Sequence, residues 1–244
     1  MWDVGVIQEL LAGCIYFAAG LRLYLVSRRT QRFPERILGL SFVLWSGNYL
    51  LYDIPYLVLD ESLTAPFYFA ARLALDLGMF LFLLFTWKVF RSHDRWGAWL
   101  VAGITACILA GIGGCVWIGD WEGFLLLSNP WFWPGWLSAT LAPAWMAAEG
   151  FHHHWRSRQR HRVGLCDAMT CDRFLLWGIA GAIWFALQFL VLYQYYQYEL
   201  TQVWGSAIGA VVGLFEIVPV VISWVVFFPP AAYRAWIERR YASA

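Results

Sequence analysis

Charge is scarce in this chain: Asp, Glu, Lys and Arg make up 14% of its 244 residues, against about 25% in an ordinary soluble domain. Lysine occurs once, as Lys88. The 17 basic and 16 acidic residues leave a net charge of +1, so no basic face recommends nucleic acid as a partner. HExxH, paired-histidine, GxSxG and P-loop patterns are all missing, which removes the metalloprotease, serine-hydrolase and nucleotide-hydrolase signatures. The long apolar segments hold no histidine, so haem carried between paired imidazoles is excluded. The last such segment holds no lysine, which excludes a Schiff base to retinal there.

Apolar residues are what the chain has instead. They make up 61% of it, with 19% aromatic and 17 tryptophans. A soluble protein of this size has too little interior to hide that surface, so the surplus faces lipid. Seven segments are long enough to cross a bilayer core of about 30 Å. They fall at 5–26, 37–58, 65–88, 97–118, 132–150, 173–195 and 205–228, within one transmembrane domain over 1–244. The first is not read as a secretory signal, because no basic residue precedes it and its first charges are Asp3 and Glu9.

The connections alternate in charge. Arg28, Arg29, Arg32 and Arg36 follow the first span, Lys88, Arg91 and Arg95 the third, and Arg156, Arg158, Arg160, Arg162 and Arg173 the fifth. Arg234, Arg239 and Arg240 end the chain. The intervening connections carry only acids: Asp60 and Glu61, Asp120 and Glu122, then Glu199. Fifteen basic residues thus lie on one side and none on the other. The expectation is an all-α polytopic seven-helix bundle in the cell membrane (the inner membrane in a bacterium), N-terminus outside and C-terminus cytoplasmic. The longest connection, Gly150 to Asp172, is polar and basic, and is expected to meet anionic lipid or a protein partner. Oligomeric state is left open.

Ionisable groups inside a bilayer are expensive and usually face a bundle interior or cavity. Arg72 and Asp76 stand four apart on the third span, close enough to pair. Glu216 in the seventh span sits at a depth similar to that of Asp76, and Glu9 and Asp53 sit nearer the outside. These five are candidate ion- or ligand-binding residues, with the amides Asn48 and Gln188 as neutral hydrogen-bonding groups. Gly205, Gly209 and Gly213 recur every four residues, a small-residue seam that also takes Glu216, and Pro219 follows. Should Asp76 take the arginine, Glu216 becomes the proton- or ligand-responsive group.

Trp117, Trp121, Trp131, Trp133, Trp136, Tyr195, Tyr196 and Tyr198 fall at outer span ends, where amphipathic rings belong. Trp45, Trp145, Trp177 and Trp184 lie deeper, where they would line an apolar pocket. Cys166 and Cys171 belong to the basic connection and only Cys115 approaches the oxidising side, so no disulfide is expected. Of the histidines His152–His154, only His153 with Glu149, or one His with His161, has metal-sharing geometry; no metal or other cofactor is expected. Three functions fit, in this order: a transporter or channel for a proton, cation or small polar substrate; a receptor signalling through a separate partner; and a membrane enzyme acting on lipid or isoprenoid.

Overall fold

The computed structural model describes residues 4–59, 64–119, 126–201 and 206–242. Asp3, Asp60, Glu61, Asp120, Trp121, Glu122 and Gly205 of the patterns above lie outside these residues. Eight helices occur among the described residues. They are α1 (Val4–Thr30), α2 (Phe33–Val58), α3 (Ala65–Phe90), α4 (Arg95–Ile118), α5 (Phe132–Arg162), α6 (Ala168–Thr201), α7 (Ser206–Phe227) and α8 (Ala231–Ala242).

Local chemistry sets several helix ends. Pro34 and Pro66 occupy the first turns of α2 and α3, where a missing N–H costs nothing. Gly119 closes α4 in the left-handed region at φ 66°, returning its N–H to Cys115 O. At the end of α5, Gly164 at φ 74° donates to His161 O, and Leu165 donates to Arg160 O. That pair of bonds is a Schellman closure, and only a glycine adopts its φ without strain. Asp167 then starts α6 by accepting from the Thr170 amide at 2.8 Å.

The chain runs back and forth. Gly20 meets Gly39 across α1 and α2, Gly78 meets Trp45 across α2 and α3, and Gly111 meets Gly135 across α4 and α5. Gly150 meets Gly178 across α5 and α6, and Trp177 meets Phe227 across α6 and α7. Each contact joins residues at mirrored distances from the turn, the mark of antiparallel neighbours. Between α1 and α7 the order is the reverse. Gln8 lies by Gly213 and Arg22 by Trp224, so those two helices run parallel and close the bundle. The packed pairs form a ring, α1–α2–α3–α5–α6–α7, with α4 outside against α3 and α5, and α8 against α6.

Helices α1–α4, α6 and α7 are long and apolar enough to cross a membrane. Leu21, Leu77, Leu109, Val116, Phe189 and Val221 all point outward from them. Such a surface belongs in lipid, not water. The chain is therefore an all-α polytopic membrane protein. Helix α5 has the poorer apolar content, with Glu149 and a basic C-terminal turn.

Expected and observed boundaries differ most at α5. The sequence places a connection from Gly150 onward, yet the helix continues to Arg162 and the link to α6 is only 163–167. Gly150 does not end the helix because it has another task. A Cβ there would lie 2.4 Å from Gly178 N, so its hydrogen allows the α5 and α6 backbones to touch.

The bundle centre is aromatic. Trp45 and Trp184 meet edge to face at 5.2 Å, with Phe82 and Tyr16 packed around them. Trp145 and Trp177 are buried as well. Tryptophans in excess of two interfacial belts thus fill the core between helices that glycine elsewhere brings close. Gly78 serves this packing directly, since a Cβ on it would lie 2.6 Å from Trp45 Cδ1.

Candidate functional site

The N-terminal end of the ring gathers carboxyl groups from three helices. Glu9 comes from α1, Asp53 from α2 and Glu216 from α7. Asp53 is buried at 2% exposure, with Glu9 as a neighbouring carboxyl. Glu216 accepts a hydrogen bond from the Tyr49 hydroxyl at 3.0 Å. Tyr49 stacks on Tyr16 at 6.0 Å with their planes 12° apart, and Trp184 Nε1 donates to the Tyr16 hydroxyl at 3.1 Å. A ladder of aromatic groups therefore leads from Glu216 into the packed core.

Two buried oxygens near this cluster have no hydrogen-bond partner, Asp53 Oδ2 and Gln8 Oε1. Gln8 lies where α1 crosses the glycine seam of α7; a Cβ on Gly213 would fall 3.1 Å from its Oε1. Gly209 lies over Gln194 of α6 instead. Helix α7 continues past the fully buried Pro219 to Phe227. An unmatched buried oxygen is costly, and a hydrogen-bond donor, an ordered water or a cation offsets it.

The arginine belongs to a separate arrangement. Arg72 Nε donates to Asp76 Oδ2 at 2.8 Å within α3, with both side chains mostly buried. The guanidinium fits against two glycines. A Cβ on Gly135 of α5 would lie 2.5 Å from Arg72 Nη2, and one on Gly111 of α4 would lie 3.7 Å from it. The same glycines place α4 on α5. Tightly approaching backbones and a buried cation thus use one gap.

The expected residues therefore divide into two groups. Glu9, Asp53 and Glu216 come together, whereas Arg72 and Asp76 pair with each other. Helices α3 and α7 are not packed neighbours. Asn48 and Gln188 are half-buried. Gln188 contributes its main-chain carbonyl, which accepts from Trp136 Nε1 at 3.1 Å. Sequence reasoning missed Tyr16 and Gln8, and did not connect Tyr49 with Glu216. It also missed Gly111 and Gly135, whose mutual spacing across two helices has no local signal.

A second polar cluster lies at the opposite end. Arg91 donates to Glu149 at 2.7 Å and also pairs with Asp94 at 3.1 Å. Trp145 Nε1 donates to the same Glu149 oxygen at 3.2 Å. Arg91 is held above its ordinary value, chiefly by its bond to Glu149. The other carboxylate oxygen of Glu149 stands 3.6 Å from His153 Nε2, beyond hydrogen-bond distance. Burial pushes the His153 imidazole below its ordinary value; Glu149 opposes this, and His152, Arg91 and Arg156 add to it. Glu149 thus ties the α3–α4 turn to α5. His154 and His161 direct Nδ1 to the carbonyls of Cys171 and Cys166, each at 2.7 Å. Among the described residues, no three His, Cys, Asp or Glu side chains form a metal-sized group.

The fold and these sites define a class: a membrane-embedded helical bundle with buried charged and polar side chains, consistent with a multi-pass protein of transport or receptor type. No family model, curated protein or solved structure matches the chain.

Proposed function

We propose that this protein is a seven-span transporter or channel that accepts a proton or small cation from outside the cell. Its N-terminus faces out and its C-terminus is cytoplasmic, with α5 crossing as the fifth of the seven spans. In this reading Glu216 is the responsive group, Glu9 and Asp53 complete its site, and Arg72–Asp76 is the fixed ion pair beside it. The convergence of Glu9, Asp53 and Glu216 carries the proposal. Three acids meet on helices from three parts of the chain, while the arginine of similar depth is already taken by Asp76. Such a surplus of buried acid is stable when protons or a cation neutralise it. The basic residues of the turns at the opposite end, among them Arg32, Arg91 and Arg95, support the orientation.

The test is flux into liposomes holding the purified protein, read with a pH-sensitive dye and with cation-selective dyes. Glu216→Gln and Asp53→Asn should reduce the flux while the protein remains folded and monodisperse. Unchanged flux in both variants would defeat the proposal.

A receptor is the second reading, and the filled centre favours it. Tyr16, Trp45, Phe82 and Trp184 pack directly below the cluster, which suits a site that senses without passing its ligand on. The basic end of α5 and the segment up to Arg173 would then meet a signalling partner. Co-purification of one partner, lost when Arg156, Arg158 and Arg160 are neutralised and accompanied by no flux, would select this reading.

A further inference from the structure

The lower end of α1 carries a cation that neither polar cluster uses. Arg22 lies on an exposed face of the helix, with its guanidinium over the Phe228 ring at 4.0 Å and over Trp224 at 4.8 Å. Stacking of that kind engages the flat face of the group. The N–H donors around its edge remain, and among the described residues no carboxylate lies within ion-pair distance of Arg22 or Arg29.

Both arginines border a shallow, open groove along α1 that Ala18, Leu21, Leu25 and Val26 also line. All six positions share one face of α1, because the spacings of three, four, seven, eight and eleven from Ala18 follow the helical period. Ala18 makes the hollow, and Leu21 and Leu25 are 40% and 50% exposed along it. Arg29 stands two turns beyond Arg22, about 10 Å along the axis. Arg22 is also level with the end of α7, since Trp224 and Phe228 are the rings beneath it. A membrane helix ends where hydrocarbon gives way to headgroups. The groove therefore has an acyl-depth apolar part and two cations at headgroup depth.

We infer that this groove binds one anionic phospholipid, its phosphate held by Arg22 and Arg29 and an acyl chain lying along Leu21 and Leu25. The chemistry matches at both ends. Guanidinium forks bind phosphate through paired N–H groups, and the binding is stronger where surrounding hydrocarbon excludes water. A zwitterionic lipid brings its own cation to the same place and competes with the arginines for the phosphate.

Native mass spectrometry of the detergent-solubilised protein tests this, with phosphatidylglycerol or phosphatidylcholine added in steps. The wild-type protein should retain one phosphatidylglycerol in clear preference to phosphatidylcholine. Replacing both arginines (R22Q with R29Q) should weaken that first binding event about tenfold or more, the size of a lost charge-assisted hydrogen bond. R29Q alone, at an exposed helix end, should weaken it in part and keeps the test decisive if the double variant folds poorly. The control neutralises equal charge elsewhere (R95Q with R239Q) and should leave the first event unchanged. Equal binding of the two lipids, or equal losses in variant and control, would overturn the inference. So would a dimer that dissociates in R22Q, because a second copy would then occupy the groove.

Discussion

The hydroxyl of Tyr49 on α2 donates to Glu216 on α7 across 3.0 Å, joining two helices that are separated by α1 in the ring. Glu216 is thereby held at the Glu9–Asp53 pair and away from Asp76. Removing the hydroxyl by Tyr49→Phe should leave a carboxyl oxygen without its donor and cost about 1–3 kcal/mol. Unfolding in detergent would measure it. In a Glu216→Leu background the same substitution should cost far less, and equal costs in both backgrounds would contradict the pairing.

Arg72 and Asp76 should behave as one unit. Arg72→Met strands a buried carboxylate and is expected to cost about 3–5 kcal/mol, a usual loss for breaking a buried pair. Replacing Asp76 as well should cost less than the sum of the two single changes. A double-mutant cycle reads this coupling directly, and strict additivity would refute it.

Glycine positions should divide sharply. Gly150→Ala puts a Cβ 2.4 Å from the Gly178 amide, forces α5 and α6 apart and should cost about 1–3 kcal/mol. Gly103→Ala and Gly113→Ala on α4 meet open space and should be neutral or mildly stabilising. Thermal unfolding of the three variants side by side decides it.

Acid should weaken the His153 region. Its folded imidazole binds a proton less readily than in the unfolded chain, because it is buried between Phe90 and Phe174. The unfolded chain then holds more protons in that window, so stability rises with pH and falls on acidification below about 6.5. His153→Phe keeps a ring between the two phenylalanines and should flatten this part of the pH dependence. Melting temperatures of the two proteins at pH 5.5 and 7.5 would show the difference.

Much of the architecture was legible in the sequence because it depends on local rules. Lipid-length apolar runs mark the helices. Arg72 and Asp76 met as anticipated because a helix of 3.6 residues per turn places i and i+4 on one face, whatever the rest of the fold does. The family of deep tryptophans was visible too, although only as candidates for a pocket wall.

Partnership between helices was a different matter. Depth along the membrane put Glu216 level with Asp76, but depth says nothing of which way each helix is turned or which helix is its neighbour. Close glycine contacts such as Gly20 with Gly39 and Gly150 with Gly178 settle those rotations, and with them the choice of Tyr49 for Glu216 and of Arg91 for Glu149. The sequence by itself determined a membrane bundle, the positions of most of its helices and the Arg72–Asp76 pair within a helix, since periodicity and hydropathy act over a few residues. Only tertiary structure decided which carboxyls gather at the N-terminal end, because side chains 160 or more residues apart meet through backbone packing that no short stretch of sequence encodes.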